Sequence, residues 1–166
     1  MTESTAPDTD LLLERELDVP PEAVWRAWTT PEQLKVWFTP APYKTVGCEI
    51  DLRPGGAFHT VMESPEGERY PSTGCYLEVV DGRRLTFTSV LGPDFRPQVS
   101  GRSTGDGDEV HFTAVITIEP NPAGGTRYSA LAMHPDADTA RRHDEMGFQD
   151  GWGAALDQLV EMIKAA

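Results

Sequence analysis

Between Val46 and Pro135, glycine, proline and aspartate recur at short intervals and cut the chain into segments whose side chains alternate apolar and polar. The clearest segment is Val110–Glu119. There Val110, Phe112, Ala114, Ile116 and Ile118 alternate with His111, Thr113, Thr117 and Glu119, giving one apolar face and one mostly polar face. Such a segment fits an antiparallel sheet covered on one side. Leu85, Phe87, Ser89 and Leu91 repeat the pattern after the Asp81-Gly82 turn, and Phe58, Thr60 and Met62 repeat it after Gly55-Gly56. Cys75, Leu77 and Val79 supply a further strand, and Tyr128–His134 follows the Gly124-Gly125 turn. The polar, breaker-rich stretch Pro93–Gly107 reads mostly as a long connection.

Helical signals flank this meander. Leu11–Val19 reads as a strand stopped by Pro20-Pro21, and Pro21–Trp28 then reads as a short helix with proline and an acid in its first turn. A second short helix fits Pro31–Trp37, capped by Thr30. Neither is long enough to stand alone, so both must pack on something larger. The last element spans Asp136–Lys164 as one long helix, with Trp152, Leu156, Leu159 and Ile163 on one side. Arg142, Glu145 and Gln149 continue that side as a polar half-face, which either overhangs the sheet into water or lines a cavity with a few polar groups. The pattern leaves both open. The expected architecture is α+β: a curved antiparallel sheet around a long C-terminal helix, with two short N-terminal helices.

At 166 residues the chain has the size of one domain, expected over residues 11–166 behind a disordered acidic tail at residues 1–10. That tail lacks the basic and apolar regions of a secretory signal, and no uninterrupted apolar run reaches the roughly 18 residues of a membrane span, so a cytoplasmic location is expected. The net charge of −13 argues against nucleic acid and anionic membrane as partners. Cys48 and Cys75 are too few for a disulfide framework and read as reduced core thiols, and no cysteine–histidine spacing suggests a metal.

The order of elements carries a resemblance. Pro20–Thr29 (PPEAVWRAWT), Pro31-Glu32-Gln33-Leu34 with Trp37-Phe38, and Pro54-Gly55-Gly56-Ala57-Phe58 match, as do Gly74 with Tyr76–Val79, Leu85–Thr88 and Gly125-Thr126. Gly151-Trp152 with Leu156-Asp157-Gln158-Leu159 closes the series. With these motifs the chain resembles the bacterial single-domain proteins of the Hsp90-ATPase-activator-like (Aha1 C-terminal-like) branch of the START/SRPBCC superfamily. The resemblance implies the helix-grip fold, with a hydrophobic cavity between sheet and C-terminal helix where members bind apolar molecules and a minority catalyse reactions. It also links the chain to the stress response. The chain lacks the additional N-terminal domain of the eukaryotic co-chaperones, so an Hsp90-type chaperone is not the expected partner.

The expected ligand site comprises Phe58, Met62, Phe87, Phe112 and Trp152 as apolar walls, with His134 and Glu145 as polar contacts. Glu145 shares the inward helical phase of Trp152, where a carboxylate beside apolar walls would have a raised pKa. His143 lies about 220° from Leu156 around an ideal helix and should face outward. For His134 a bond to a loop carbonyl competes with contact to a ligand. Trp152, flanked by Gly151 and Gly153, is expected at the cavity wall, its truncation costing roughly 3 to 5 kcal/mol. No GxSxG, P-loop, GxGxxG or HExxH motif is present, and no cofactor is expected. Binding of a small apolar ligand is the leading expectation, beside a co-chaperone-like interaction module or a cyclase- or hydratase-type enzyme. A homodimer is left open.

Overall fold

The computed structural model describes residues 8–98 and 110–166. Strand β1 (Asp10–Leu17) leads into helices α1 (Pro21–Thr29) and α2 (Pro31–Trp37), followed by β2 (Lys44–Ile50), β3 (Ala57–Glu63), β4 (Arg69–Val80) and β5 (Arg84–Thr88). Two residue pairs, β6 (Leu91–Gly92) and β7 (Arg96–Pro97), form a small hairpin around a single 3-10 turn. Strands β8 (Thr113–Pro120) and β9 (Thr126–Met133) precede helices α3 (Ala137–Glu145) and α4 (Phe148–Ala165). Residues 1–7 and 99–109, which include most of the expected tail and part of the expected long connection, lie outside the described residues. Strand β1 begins at Asp10, inside the stretch read as tail.

The seven longer strands make one antiparallel sheet in the order β1-β9-β8-β5-β4-β3-β2, so the first strand pairs with the last. The alternation legible in the sequence reflects this one-sided sheet: Ala114, Ile116 and Ile118 are buried, while Glu119 is exposed. Two bulges shift the parity. One falls between Thr45 and Gly47 in β2, the other between Tyr76 and Glu78 in β4. An extra residue in one strand makes the side chains on either side of it face the same way. Tyr76 therefore lies opposite Phe87 and Val79 opposite Leu85, both on the inner face, although they are three residues apart.

Helices α1 and α2 both start on proline, which lacks the N–H that a first turn would leave unpaired. Thr30 occupies the cap position of α2, but its hydroxyl makes no capping bond. The Thr30 carbonyl instead accepts from the Gln33 and Leu34 N–H groups. Val24, Ala27, Trp28, Leu34 and Trp37 are buried, and the Trp37 indole N–H donates to the Ala27 carbonyl at 2.9 Å, locking the two helices together.

The C-terminal region is two helices rather than the single one expected. Met146 ends α3, and Gly147 at φ +100° turns the chain in the left-handed region before α4 begins. Only glycine enters that region without penalty, so the break is specified at one residue. Gly151 faces open space, and Gly153 faces the Arg15 guanidinium. Leu156 and Leu159 carry the core face of α4, with Trp152 and Ile163 partly buried against it. Gln158 ties this helix to the α2–β2 connection: its amide NH₂ donates to the Trp37 and Thr39 carbonyls, and its carbonyl accepts from the Ala41 N–H. Among the described residues no helix is long and apolar enough to cross a membrane.

Candidate functional site

The strand registers define the inner face of the sheet. Thr45, Cys48 and Ile50 of β2 lie opposite Met62, Thr60 and Phe58 of β3, which in turn face Tyr70, Ser72 and Gly74 of β4. Leu85 and Phe87 of β5 lie beside Ile116 and Ala114 of β8, and these beside Ala130 and Ala132 of β9. None of these positions carries a formal charge. The one charged inner position, Arg15, lies on edge strand β1 opposite Tyr128 and is exposed. The hydrogen-bonding groups on the wall are therefore hydroxyls and one thiol.

Aromatic side chains gather at two places. In the first, Phe58 stacks on Tyr76 with ring centroids 5.2 Å apart and meets Phe87 edge-on at 4.8 Å. Trp28 closes over Phe87, Trp37 and Phe38. This cluster encloses two polar atoms that no described group bonds, the Tyr76 hydroxyl and the Trp28 indole nitrogen. The Trp28 indole sits near the Tyr128 hydroxyl but reaches no bonding geometry with it. Burial pushes the Tyr76 phenol far above its ordinary range, with a smaller push from Cys48, and burial pushes the Cys48 thiol up to about 11. Both groups stay neutral near pH 7.

The second cluster joins the sheet to the C-terminal helices. Phe112 packs against His143 at 4.8 Å and Trp152 at 5.8 Å, and Phe148 packs against Trp152 at 4.9 Å. Phe112 and Trp152 are only partly buried, whereas His134 and His143 are 7% and 8% exposed. His134 Nδ1 lies 2.7 Å from the Thr9 carbonyl, and its Nε2 lies 2.8 Å from Nδ1 of His143. Burial, aided by the neighbouring His134, lowers the His143 pKa to about 4. Among the described residues no three metal-ligating side chains converge.

The structure thus brings Phe58 and Phe87 together in one cluster and Phe112, His134 and Trp152 in the other. Met62 is part-buried on the same face, opposite Thr45 and Tyr70. Glu145 is a correction: it is exposed, and His143 takes the inward position instead. The helical phase extrapolated from Leu156 does not survive the turn at Gly147, so α3 presents a different set of residues. Gln149 is likewise exposed, donating to the Leu12 carbonyl on β1, so the polar half-face meets solvent and the strand edge. Sequence reasoning missed Tyr76 because Cys75, Leu77 and Val79 looked like the inward set. The bulge in β4 defeats that reading, and Cys75 lies on the other face opposite Thr88.

A large antiparallel sheet with its long helix at the C-terminus and two short helices after the first strand defines the helix-grip class of α+β proteins. The chain belongs to the family of Activator of Hsp90 ATPase homolog 1-like proteins, whose family model matches residues 18–164. It is similar to the crystal structure of a protein from Nitrosomonas europaea, with 46% identity over 97% of each chain and a TM-score of 0.88. It also resembles the AHSA1 protein from Silicibacter pomeroyi, with 25% identity over 94% of this chain and 98% of that one and a TM-score of 0.65. A protein from Mycobacterium smegmatis shares the fold at 24% identity, with a TM-score of 0.76 over 96% of this chain and 93% of that one. No curated protein matches the chain.

Proposed function

We propose that the protein binds a small, uncharged and largely apolar molecule on the inner face of the sheet beside α4. The observation that supports this reading is the neutral wall: from β2 to β9 no inner position carries a charge, in a chain whose net charge is −13. A charged ligand placed there would lose its hydration without finding an opposite charge, whereas an apolar one gains about 25 cal/mol for each Å² removed from water. Met62, Phe112 and Trp152 offer partly buried apolar surface to such a ligand.

Calorimetric titration with a matched pair of probes tests the reading. Neutral 2-methoxynaphthalene should bind saturably with a negative heat-capacity change, the signature of apolar burial, and naphthalene-2-sulfonate should bind more weakly. Absence of saturable binding by the neutral probe, or preference for the anion, overturns it.

A further inference from the structure

The buried histidine pair has a defined proton arrangement, and that arrangement leaves one atom with something to do. The Thr9 carbonyl accepts from both the backbone N–H of His134, at 2.9 Å, and Nδ1 of its ring, at 2.7 Å. A carbonyl can only accept, so Nδ1 of His134 carries a proton. In the neutral ring Nε2 is then an acceptor, and the atom 2.8 Å from it, Nδ1 of His143, must carry the next proton. His143 is left with a bare lone pair on Nε2, and its ring packs against Phe112, Phe148 and Trp152. No described group bonds that nitrogen, and it is not one of the wholly enclosed polar atoms. The depressed pKa of His143, to about 4, keeps the lone pair unprotonated at neutral pH.

We infer that His143, held as the Nδ1–H tautomer by His134, presents Nε2 as a hydrogen-bond acceptor beside Phe112 and Trp152 and selects aromatic ligands that carry a phenolic hydroxyl or heteroaromatic N–H. This specificity rests on the apolar-ligand reading above and narrows it. A site built around an acceptor discriminates against an analogue lacking the donor, because the buried nitrogen is then left unpaired while shape and apolar area are unchanged.

The experiment compares 2-naphthol with 2-methoxynaphthalene on the whole protein near pH 7. Both offer the same rings and an acceptor oxygen, but only the naphthol can donate. The naphthol should bind roughly two- to tenfold more tightly, the factor expected for one net hydrogen bond, and His143→Phe should abolish the preference while retaining affinity for the ether. Binding of both probes with equal affinity to the wild-type protein overturns the inference alone, whereas binding of neither removes the apolar-ligand reading and the inference with it. Nitrogen-15 NMR of the wild-type histidines keeps the claim testable if the variant fails to fold. His143 should show a protonated Nδ1 and an unprotonated Nε2 that shifts on addition of 2-naphthol. A protonated Nε2, or no shift at saturating naphthol, overturns it.

Discussion

Replacing Tyr76 with phenylalanine should stabilise the ligand-free protein, although the residue is fully buried and its ring is stacked on Phe58. Its hydroxyl is enclosed with no described partner. A buried donor left unmade costs about 1–3 kcal/mol, and phenylalanine removes that cost while keeping the ring contacts. The void left by one oxygen, on the order of 10 Å³, returns only about 0.2 kcal/mol at the usual cost per unit of cavity volume. The net expectation is a gain of about 1–3 kcal/mol. For a chain of 166 residues that corresponds to a rise in Tm of about 2–12 °C. Urea unfolding should show a higher midpoint with an unchanged slope. Loss of 1 kcal/mol or more in the ligand-free variant would refute the reasoning, because it would mean that the hydroxyl has a native partner such as an ordered water.

His143 titrates lower in the folded protein, about 4 against an ordinary 6.5, so its contribution is fully present above pH 6.5 and is lost as pH falls through 4. That window is worth up to about 3 kcal/mol, and the wild type should lose up to roughly that amount of unfolding free energy relative to His143→Phe between pH 7 and 4; parallel curves would contradict the depressed value. Gly147→Ala places a Cβ at φ +100° and should cost about 1–2 kcal/mol, whereas Gly151→Ala enters open space within α4 and should gain up to about 1 kcal/mol; both are read from urea midpoints, and equal effects would count against the break. Trp152→Ala should cost about 2 kcal/mol in the same assay, below the range for full burial, because the indole is only partly covered; a loss above 3 would show it more deeply packed in solution.

The strands that alternate cleanly were legible because one face of the sheet is dry and the other wet. Ile116 and Ile118 could be placed from their spacing alone, and so could Phe58, Phe87 and Phe112. Tyr76 could not, since a bulge is a backbone event set by the neighbouring strands and leaves no mark in a period-two pattern. The C-terminal helices fail for a related reason. Residues on both sides of Gly147 are helix formers, and a glycine inside such a run reads equally well as a weak helical position or as a stop. Placing the stop there turns His143 inward and Glu145 outward, so one unread dihedral accounts for both corrections. The His134–His143 contact joins a strand end to a separate helix, and no sequence spacing predicts that distance.

The pairing of β1 with β9 sets an order of events during synthesis. Asp10 lies opposite Met133 and Leu17 opposite Thr126, so the first strand of this sheet to be made has no neighbour until the last strand of the sheet has been made. Strands β2 to β5 can zip as successive hairpins in the meantime, but β8 presents an open edge until β9 arrives. Closing the β1–β9 ladder spans most of the chain, and loops of that length form slowly because their closure entropy is lost before any contact compensates for it. The rate-limiting step of folding should therefore be the return of β1 to β9. A chain stalled before β9 would expose both the unpaired edge of β8 and a solitary apolar β1, the combination most prone to pairing with another copy of itself.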